Sequence, residues 1–292
     1  MRVAIYGKKV TKQTIPVFTE VFNSIEQLGW SIVLEKDLKE TLLAKCDINR
    51  NYDTFSTHQD FYSGIDLTIS LGGDGTFIKT VGYIRNSGVP IMGINTGRMG
   101  FLSNISKDQI ESTLDKVKNK EYEFQKRSLL RVYTEEDLFG EDNFALNELT
   151  VHKKDTASMI TVHASLDNKY LNSYWADGLI VATPTGSTAY SLSCGGPIIT
   201  PGCQVHILTP IAPHNLNVRP MVVPDHLPIE LSVEGRDRKS LLSLDGNSKS
   251  IRQGEKVIVK KAEFMINVIR FENNNFLDTI RNKMLWGMDV RN

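Results

Sequence analysis

At 292 residues the chain is long enough for two domains, each with a core of its own. Its 34 basic and 34 acidic residues cancel and no basic stripe stands out, which argues against nucleic acid as the main partner. No apolar run approaches the length that spans a bilayer, the N-terminus enters an apolar strand without a signal-peptide pattern, and Cys46, Cys194 and Cys203 form no Cys-x-x-Cys pair, which suits a reducing cytoplasm.

From residue 1 to about 105, strand and helix patterns alternate. Val3 to Tyr6 reads as a short strand. Ile15, Phe18, Val21, Phe22 and Ile25 mark an amphipathic helix that ends at Gly29, and another strand begins at Ile32 to Leu34. Ile65, Leu67, Ile69 and Leu71 alternate with Asp66, Thr68 and Ser70, which predicts a strand, and Phe77, Val81 and Ile84 recur at helical spacing behind it. Gly88 closes that helix and Val89 to Ile94 gives the next strand. This alternation predicts a Rossmann-like α/β domain, a parallel sheet with helices on its faces, over residues 1–120.

Between the strand ending at Leu71 and the following helix lies Gly72-Gly73-Asp74-Gly75-Thr76. Glycines there let backbone N–H groups approach an anion, and the helix N-terminus adds partial positive charge. Asp74 is the anomaly: a carboxylate facing phosphates repels them unless a cation intervenes or it is aimed at a hydroxyl about to react. Gly and Asp also dominate ordinary turns, so these five residues alone leave both readings open. The chain has no Gly-x-x-x-x-Gly-Lys-Ser/Thr, and Ile78 stands where a Gly-x-Gly-x-x-Gly needs its third glycine, which disfavours a plain dinucleotide dehydrogenase. A second glycine turn, Asn95-Thr96-Gly97-Arg98-Met99-Gly100, follows the next strand. Ser106 with Gln109 then forms a capping box for a helix to about Lys118.

From about residue 121 to 270 the chain turns to short β-rich runs: Leu129 to Tyr133, Leu146 to His152, Met159 to Leu166, Tyr170 to Tyr174, Leu179 to Ala182, Ile229 to Val233, Leu241 to Leu244, Lys256 to Val259 and Phe264 to Ile269. Turn residues such as Asp167-Asn168 and Asp245-Gly246-Asn247 separate them, predicting an all-β sandwich. Residues 271–292 carry helical spacing in Phe276, Ile280 and Met284, and a helix from Phe276 to Trp286 is expected to fold back on the first domain.

Two features of the second half point to a ligand. Residues 176–197 run strand, Thr183-Pro184 turn and small-residue segment, with one aromatic, Tyr190, among hydroxyls. Small side chains expose backbone, and Tyr190 offers a ring face or an O–H to a purine, while Asp177 suits an amide or ribose hydroxyls. Asn147-Glu148 pairs an amide with a carboxylate, which fits a sugar diol, although alone it also reads as a solvated strand end.

Gly72-Gly73-Asp74-Gly75, Asn147-Glu148, Asp177 through Pro197, Thr209-Pro210-Ile211-Ala212-Pro213-His214 and Asp245-Gly246-Asn247 together resemble, in order and spacing, the NAD kinase family of ATP-dependent NAD 2′-phosphotransferases. The first motif is shared with diacylglycerol and sphingosine lipid kinases and more loosely with phosphofructokinases. Thr188-Ala189-Tyr190-Ser191-Leu192-Ser193 is the block that points to NAD. The resemblance implies that Asp74 is the base for the adenosine ribose 2′-hydroxyl, with Gly75 at the phosphates and Lys79 as a phosphate contact. It implies that Asn147 and Glu148 hold ribose and Asp177 the nicotinamide side, and that Thr188, Ala189, Tyr190 and Ser193, with Ser191 and Leu192 between them, hold adenosine. Asn247 completes the pocket. It further implies ATP as donor, a divalent cation such as Mg²⁺ on the donor's phosphates, and a homo-oligomer, dimer or tetramer, with no membrane or nucleic-acid partner. Trp175 stands where many relatives carry Lys or Arg, so the resemblance implies no charge contact to the dinucleotide and no feedback by NADP from that position. A lipid kinase on this scaffold is disfavoured because no membrane-docking segment is apparent, and a non-catalytic sensor because Asp74 is intact.

Overall fold

Short apolar runs of the N-terminal third become strands that are buried on both faces, as parallel strands covered by helices are. The computed structural model describes residues 1–46, 51–154, 158–236, 238–272 and 275–284. The chain falls into two units, residues 1–126 with 266–292, and residues 127–265.

In the first unit the order is β1 (Arg2–Gly7), α1 (Ile15–Gln27), β2 (Ser31–Glu35), α2 (Lys36–Cys46), β3 (Asp53–Phe55), β4 (Leu67–Leu71), α3 (Asp74–Ile84), β5 (Ile91–Ile94) and α4 (Ile110–Lys118). The strands are parallel and lie in the order β5-β4-β1-β2-β3. From β1 the chain builds outward to β2 and β3, then returns to add β4 and β5 on the other side. The reversal falls between β1 and β4, with Gly7 opposite Leu71 in register. Open parallel sheets bind ligands at such a switch point, beyond the carboxyl ends of the strands. Phe18, Phe22 and Ile25 of α1 and Leu114 and Val117 of α4 share one core with Ile5, Leu34 and Ile69. Residue spacing shows no sign of α2 and β3: α2 buries only Leu38 and Leu42, too few for a readable stripe.

β6 (Glu123–Thr134) carries the chain into the second unit, which contains β7 (Phe144–Ala145), β8 (Glu148–His152), β9 (Ile160–Leu166), β10 (Lys169–Ala176), β11 (Gly178–Ala182), α5 (Tyr190–Ser193), β12 (Val205–Ile211), β13 (Met221–Pro224), β14 (Ile229–Glu234), β15 (Lys239–Leu244) and β16 (Asn247–Arg252). β17 (Val257–Arg270) begins here and ends in the first unit, where α6 (Phe276–Met284) follows. Two antiparallel layers form, β10-β9-β14-β17 and β13-β12-β11-β8-β15-β16. Val162, Leu231 and Val257 from one layer and Leu149, Val181 and Leu242 from the other share a core, as in a β-sandwich. All five residues of β11 are buried, and the opposite faces of Ile180 and Ala182 pack with Ile207, Ile211 and Ile199.

One expectation changes, and one runs past the described residues. The strands read separately at Lys256 to Val259 and Phe264 to Ile269 are one 14-residue strand, β17. The charged residues between them are each engaged rather than marking a turn: Lys261 pairs with Asp225, Glu263 with Arg131, and Lys260 lies over the Tyr133 ring. The terminal helix is described from Phe276 to Met284, and the rest of its expected span, Leu285 and Trp286, lies outside the described residues.

Candidate active site

At the end of β4, the Gly72 N–H donates to the Ile94 carbonyl at 3.0 Å, and α3 begins at once with Asp74. Gly72 has φ +154°, and a Cβ there would stand 2.7 Å from Thr76 Cβ, so the tight entry into α3 requires glycine. Gly73 caps the helix without a side-chain bond, and the N–H groups of Gly73, Asp74 and Gly75 have no acceptor among the described residues. That is an anion site built from backbone.

Asp74 does not turn its carboxylate into those N–H groups. Its Oδ2 accepts from the Phe101 N–H at 2.9 Å, and Oδ1 accepts from Leu102 and Ser103, both at 3.0 Å. The segment just after the second glycine turn is therefore the holder of Asp74. Asn95 ties that loop together by donating to the carbonyls of Arg98 and Ser103 and accepting from the Gly97 N–H. Of about four lone-pair sites on a carboxylate, three are taken, and the remaining one is on Oδ2. The Lys283 ammonium lies 3.9 Å from that oxygen.

Lys79 is exposed one turn into α3, against the Lys8 ammonium that follows β1. Contact with Lys8 holds Lys79 below the usual lysine range, with partial burial and like charge adding to it. Lys8 was not singled out in the sequence. Its signal was position: it follows the strand whose last residue faces Leu71.

In the second unit the same device recurs. Asp245 and Gly246 turn β15 into β16 with φ +46° and +88°, the conformation of a two-residue hairpin. The Asp245 carboxylate accepts from the N–H groups of Leu146, Asn147 and Glu148 at 2.7, 2.9 and 3.0 Å. The Asn147 carbonyl accepts from the Thr183 N–H at 2.8 Å, and Thr183 Oγ1 donates to the Leu146 carbonyl. The Tyr190 backbone N–H donates to the Glu148 carboxyl. Asn147, Glu148, Tyr190 and the Asp245 turn are thus brought together, with Asn247 exposed at the start of β16. Burial, with Asp245 nearby, pushes Glu148 up to about 8, and burial pushes Asp245 up to about 6 against its three N–H donors. At neutral pH Glu148 is a carboxylic acid, and its buried Oε2 has no hydrogen-bond partner.

The hydroxyl-rich segment divides by direction. Ser187 Oγ donates to the Pro184 carbonyl at 2.7 Å and accepts from the Ile199 N–H, while Ser191 Oγ lies 2.8 Å from Thr209 Oγ1 in the interior. These hydroxyls fold the segment on itself. Tyr190 and Ser193 are exposed, Thr188, Ala189 and Leu192 are half-buried, and the Thr188 hydroxyl donates to the Thr185 carbonyl. Asp177 pairs with Lys153 at 2.7 Å rather than standing alone, and the exposed Trp175 ring packs at 4.2 Å on His214.

A glycine-turn anion site with a backbone-held carboxylate, on a doubly wound sheet and followed by a β-sandwich that gathers Asn147, Glu148, Tyr190 and the Asp245 turn, is the arrangement of a nucleotide-dependent phosphotransferase. Residues 3–122 match the ATP-NAD kinase N-terminal domain and residues 146–271 the ATP-NAD kinase C-terminal domain. The chain is 45% identical over its whole length and that of its relative to an NAD kinase of Flavobacterium psychrophilum, and 38% identical, again over both full lengths, to one of Bacteroides fragilis. It is similar to the crystal structure of an Archaeoglobus fulgidus NAD kinase in complex with ATP, with TM-score 0.74 and 29% identity over 98% of this chain and 99% of that one. The fold also matches yeast NADH kinase complexed with NADH, with TM-score 0.88 at 23% identity, over 100% of this chain and 89% of that one. The chain belongs to the NAD kinase family and is a kinase.

Proposed function

We propose that the protein transfers the γ-phosphoryl of ATP to the 2′-hydroxyl of the adenosine ribose of NAD, giving NADP and ADP, with Asp74 as general base. The observation that carries this is the Asp74 carboxylate, fixed by three N–H donors with one lone pair left on Oδ2. The hydroxyl O–H breaks toward Oδ2 as the ribose oxygen bonds to the γ-phosphorus and the bond to ADP breaks. Phosphoryl transfer of this kind depends on positioning and charge stabilisation rather than covalent chemistry. The open N–H groups of Gly73, Asp74 and Gly75, with Lys79 and Lys8 beside them, suit the donor's phosphates. Among the described residues no group of three or more His, Cys, Asp or Glu is arranged to hold a metal ion. The divalent cation would arrive on ATP as part of the substrate, held mainly through phosphate oxygens and water.

Asn147 and Glu148 bind ribose, Thr188, Ala189, Tyr190 and Ser193 the adenosine, Asp177 the nicotinamide side, and Asn247 the pocket edge. The neutral Glu148 carboxyl offers both a donor and an acceptor to a diol. A homo-oligomer is supported by β13, a sheet-edge strand with Met221 and Val222 exposed, and a cytoplasmic setting by three free thiols. No described helix is long and apolar enough to cross a membrane.

A coupled assay for NADP formed from NAD, ATP and Mg²⁺ tests the reaction, with diacylglycerol and sphingosine micelles as competing acceptors. NADP formation without lipid phosphorylation is expected; the reverse overturns the assignment. Asp74→Asn should keep the fold and NAD binding and lower turnover at least ~10²-fold. Near-normal turnover in that variant would remove Asp74 as base.

A further inference from the structure

The loop that holds Asp74 is itself held by the last described stretch of the chain. Arg270, at the end of β17, donates from Nη2 to the Phe101 carbonyl at 3.3 Å and from Nε to Gln125 Oε1 at 3.1 Å. The Phe101 ring packs 6.3 Å from the Phe276 ring and lies 4.5 Å beneath the Lys283 ammonium. Arg270, Phe276 and Lys283 belong to the same unit as Asp74 and all converge on Phe101.

The contact with Arg270 is specific in its consequences. The Phe101 carbonyl and the Leu102 N–H are the two ends of one peptide group. The carbonyl receives Arg270, and the N–H donates to Asp74 Oδ1 at 3.0 Å. A cation on a peptide oxygen polarises the group and strengthens the N–H as a donor, and the planar peptide transmits orientation without slack. The fork of the guanidinium, anchored on Gln125, fixes where that oxygen sits. Burial drives Arg270 down to about 10 while Asp74 pulls it up, so a cation is kept in a desolvated place with Asp74 in its field.

We infer that Arg270 is a positioning residue for the kinase reaction: through the Phe101–Leu102 peptide it sets the Asp74 carboxylate in the orientation from which Oδ2 accepts the substrate proton. This rests on Asp74 being the base. Among the described residues the hydrogen bonds of Arg270 go to Gln125 and the Phe101 carbonyl rather than to Asp74, so its effect passes through one peptide group.

The test is a double-mutant cycle in the full-length protein, with phosphoryl transfer from γ-labelled ATP to NAD followed sensitively enough to reach residual rates. Arg270→Lys keeps the charge and loses the fork. Gln125→Leu leaves Arg270 in place and removes its anchor, which serves if the lysine variant does not fold. In the wild-type background each should lower kcat, Arg270→Lys by about tenfold or more, with KM for NAD and for ATP within about twofold. In the Asp74→Asn background neither should lower kcat further, because the group they position no longer accepts the proton. An equal fold-loss in both backgrounds, or a loss confined to KM, overturns the positioning role and leaves the base reading intact. Near wild-type turnover in Asp74→Asn alone overturns the base reading, and the positioning role falls with it.

Discussion

Asp74 and Asp245 each commit their carboxylate to three consecutive backbone N–H groups, residues 101–103 in one case and 146–148 in the other. Both follow the same logic: a turn aspartate organises a distant segment and thereby places a neighbour. For Asp245 that neighbour is Glu148, whose own carboxyl is held protonated at neutral pH by burial. A protonated carboxyl resembles a carboxamide in shape and in having one donor side and one acceptor side. Glu148→Gln should therefore keep kcat/KM for NAD within about threefold, whereas Glu148→Ala should lower it about tenfold or more, the equivalent of ~1.5 kcal/mol for a lost buried hydrogen bond. KM for ATP should change little in either variant. Steady-state kinetics at pH 7 decide it: if Gln is as damaging as Ala, Glu148 binds ribose as an anion.

At the scale of elements, the β5 to α4 loop is where sequence and function meet most tightly. A Cβ on Gly100 would overlap the Asp74 carboxylate, with Asp74 Cγ at 2.5 Å, so Gly100→Ala must displace the carboxylate or the loop. At Gly97, three residues earlier, a Cβ meets nothing within 4 Å. Gly100→Ala should lower kcat by about tenfold or more with the circular dichroism spectrum unchanged, and Gly97→Ala should leave kcat within about twofold. Comparable losses in both would mean that loop flexibility matters rather than the approach to Asp74. The glycine turn and its strand and helix were legible because period-2 and period-3.6 patterns abut there. The holder of Asp74 was not, since its contacts span 27 to 29 residues, nor was the cradle of Asp245, 97 to 99 residues away. No local pattern encodes such pairs. β13 and β16 escaped for a different reason: their mostly exposed residues carry no apolar alternation. The adenosine block was legible in composition, yet only the structure separates Ser187 and Ser191, which bond inward, from Tyr190 and Ser193, which face out.

At the scale of the whole molecule, a formal charge of zero conceals unequal burial. His206, in the second unit, is pushed from 6.5 down to about 4 by burial, with Asp225 opposing and Lys261 assisting. The unfolded chain binds that proton more readily, so this contribution to stability is present above pH 6.5 and is lost as pH falls toward 4. Asp245 and Glu148 have the opposite sign. Their folded forms keep protons that the unfolded chain releases, so stability is lost as pH rises from 3.8 to about 6 for Asp245 and from 4.5 to about 8 for Glu148. Below pH 6 the histidine opposes the acids; between pH 6.5 and 8 Glu148 acts alone of the three. One proton difference is ~1.4 kcal/mol per pH unit, so the interval carries about 2 kcal/mol, on the order of 4 °C in Tm. Thermal unfolding of the ligand-free protein should show the wild-type Tm falling relative to Glu148→Gln by about that amount from pH 6.5 to 8. Taking the difference between the two cancels surface groups that titrate in both. Parallel Tm profiles would mean that Glu148 is ionised throughout, and both the neutral recognition of ribose and the predicted tolerance of Gln would fall together.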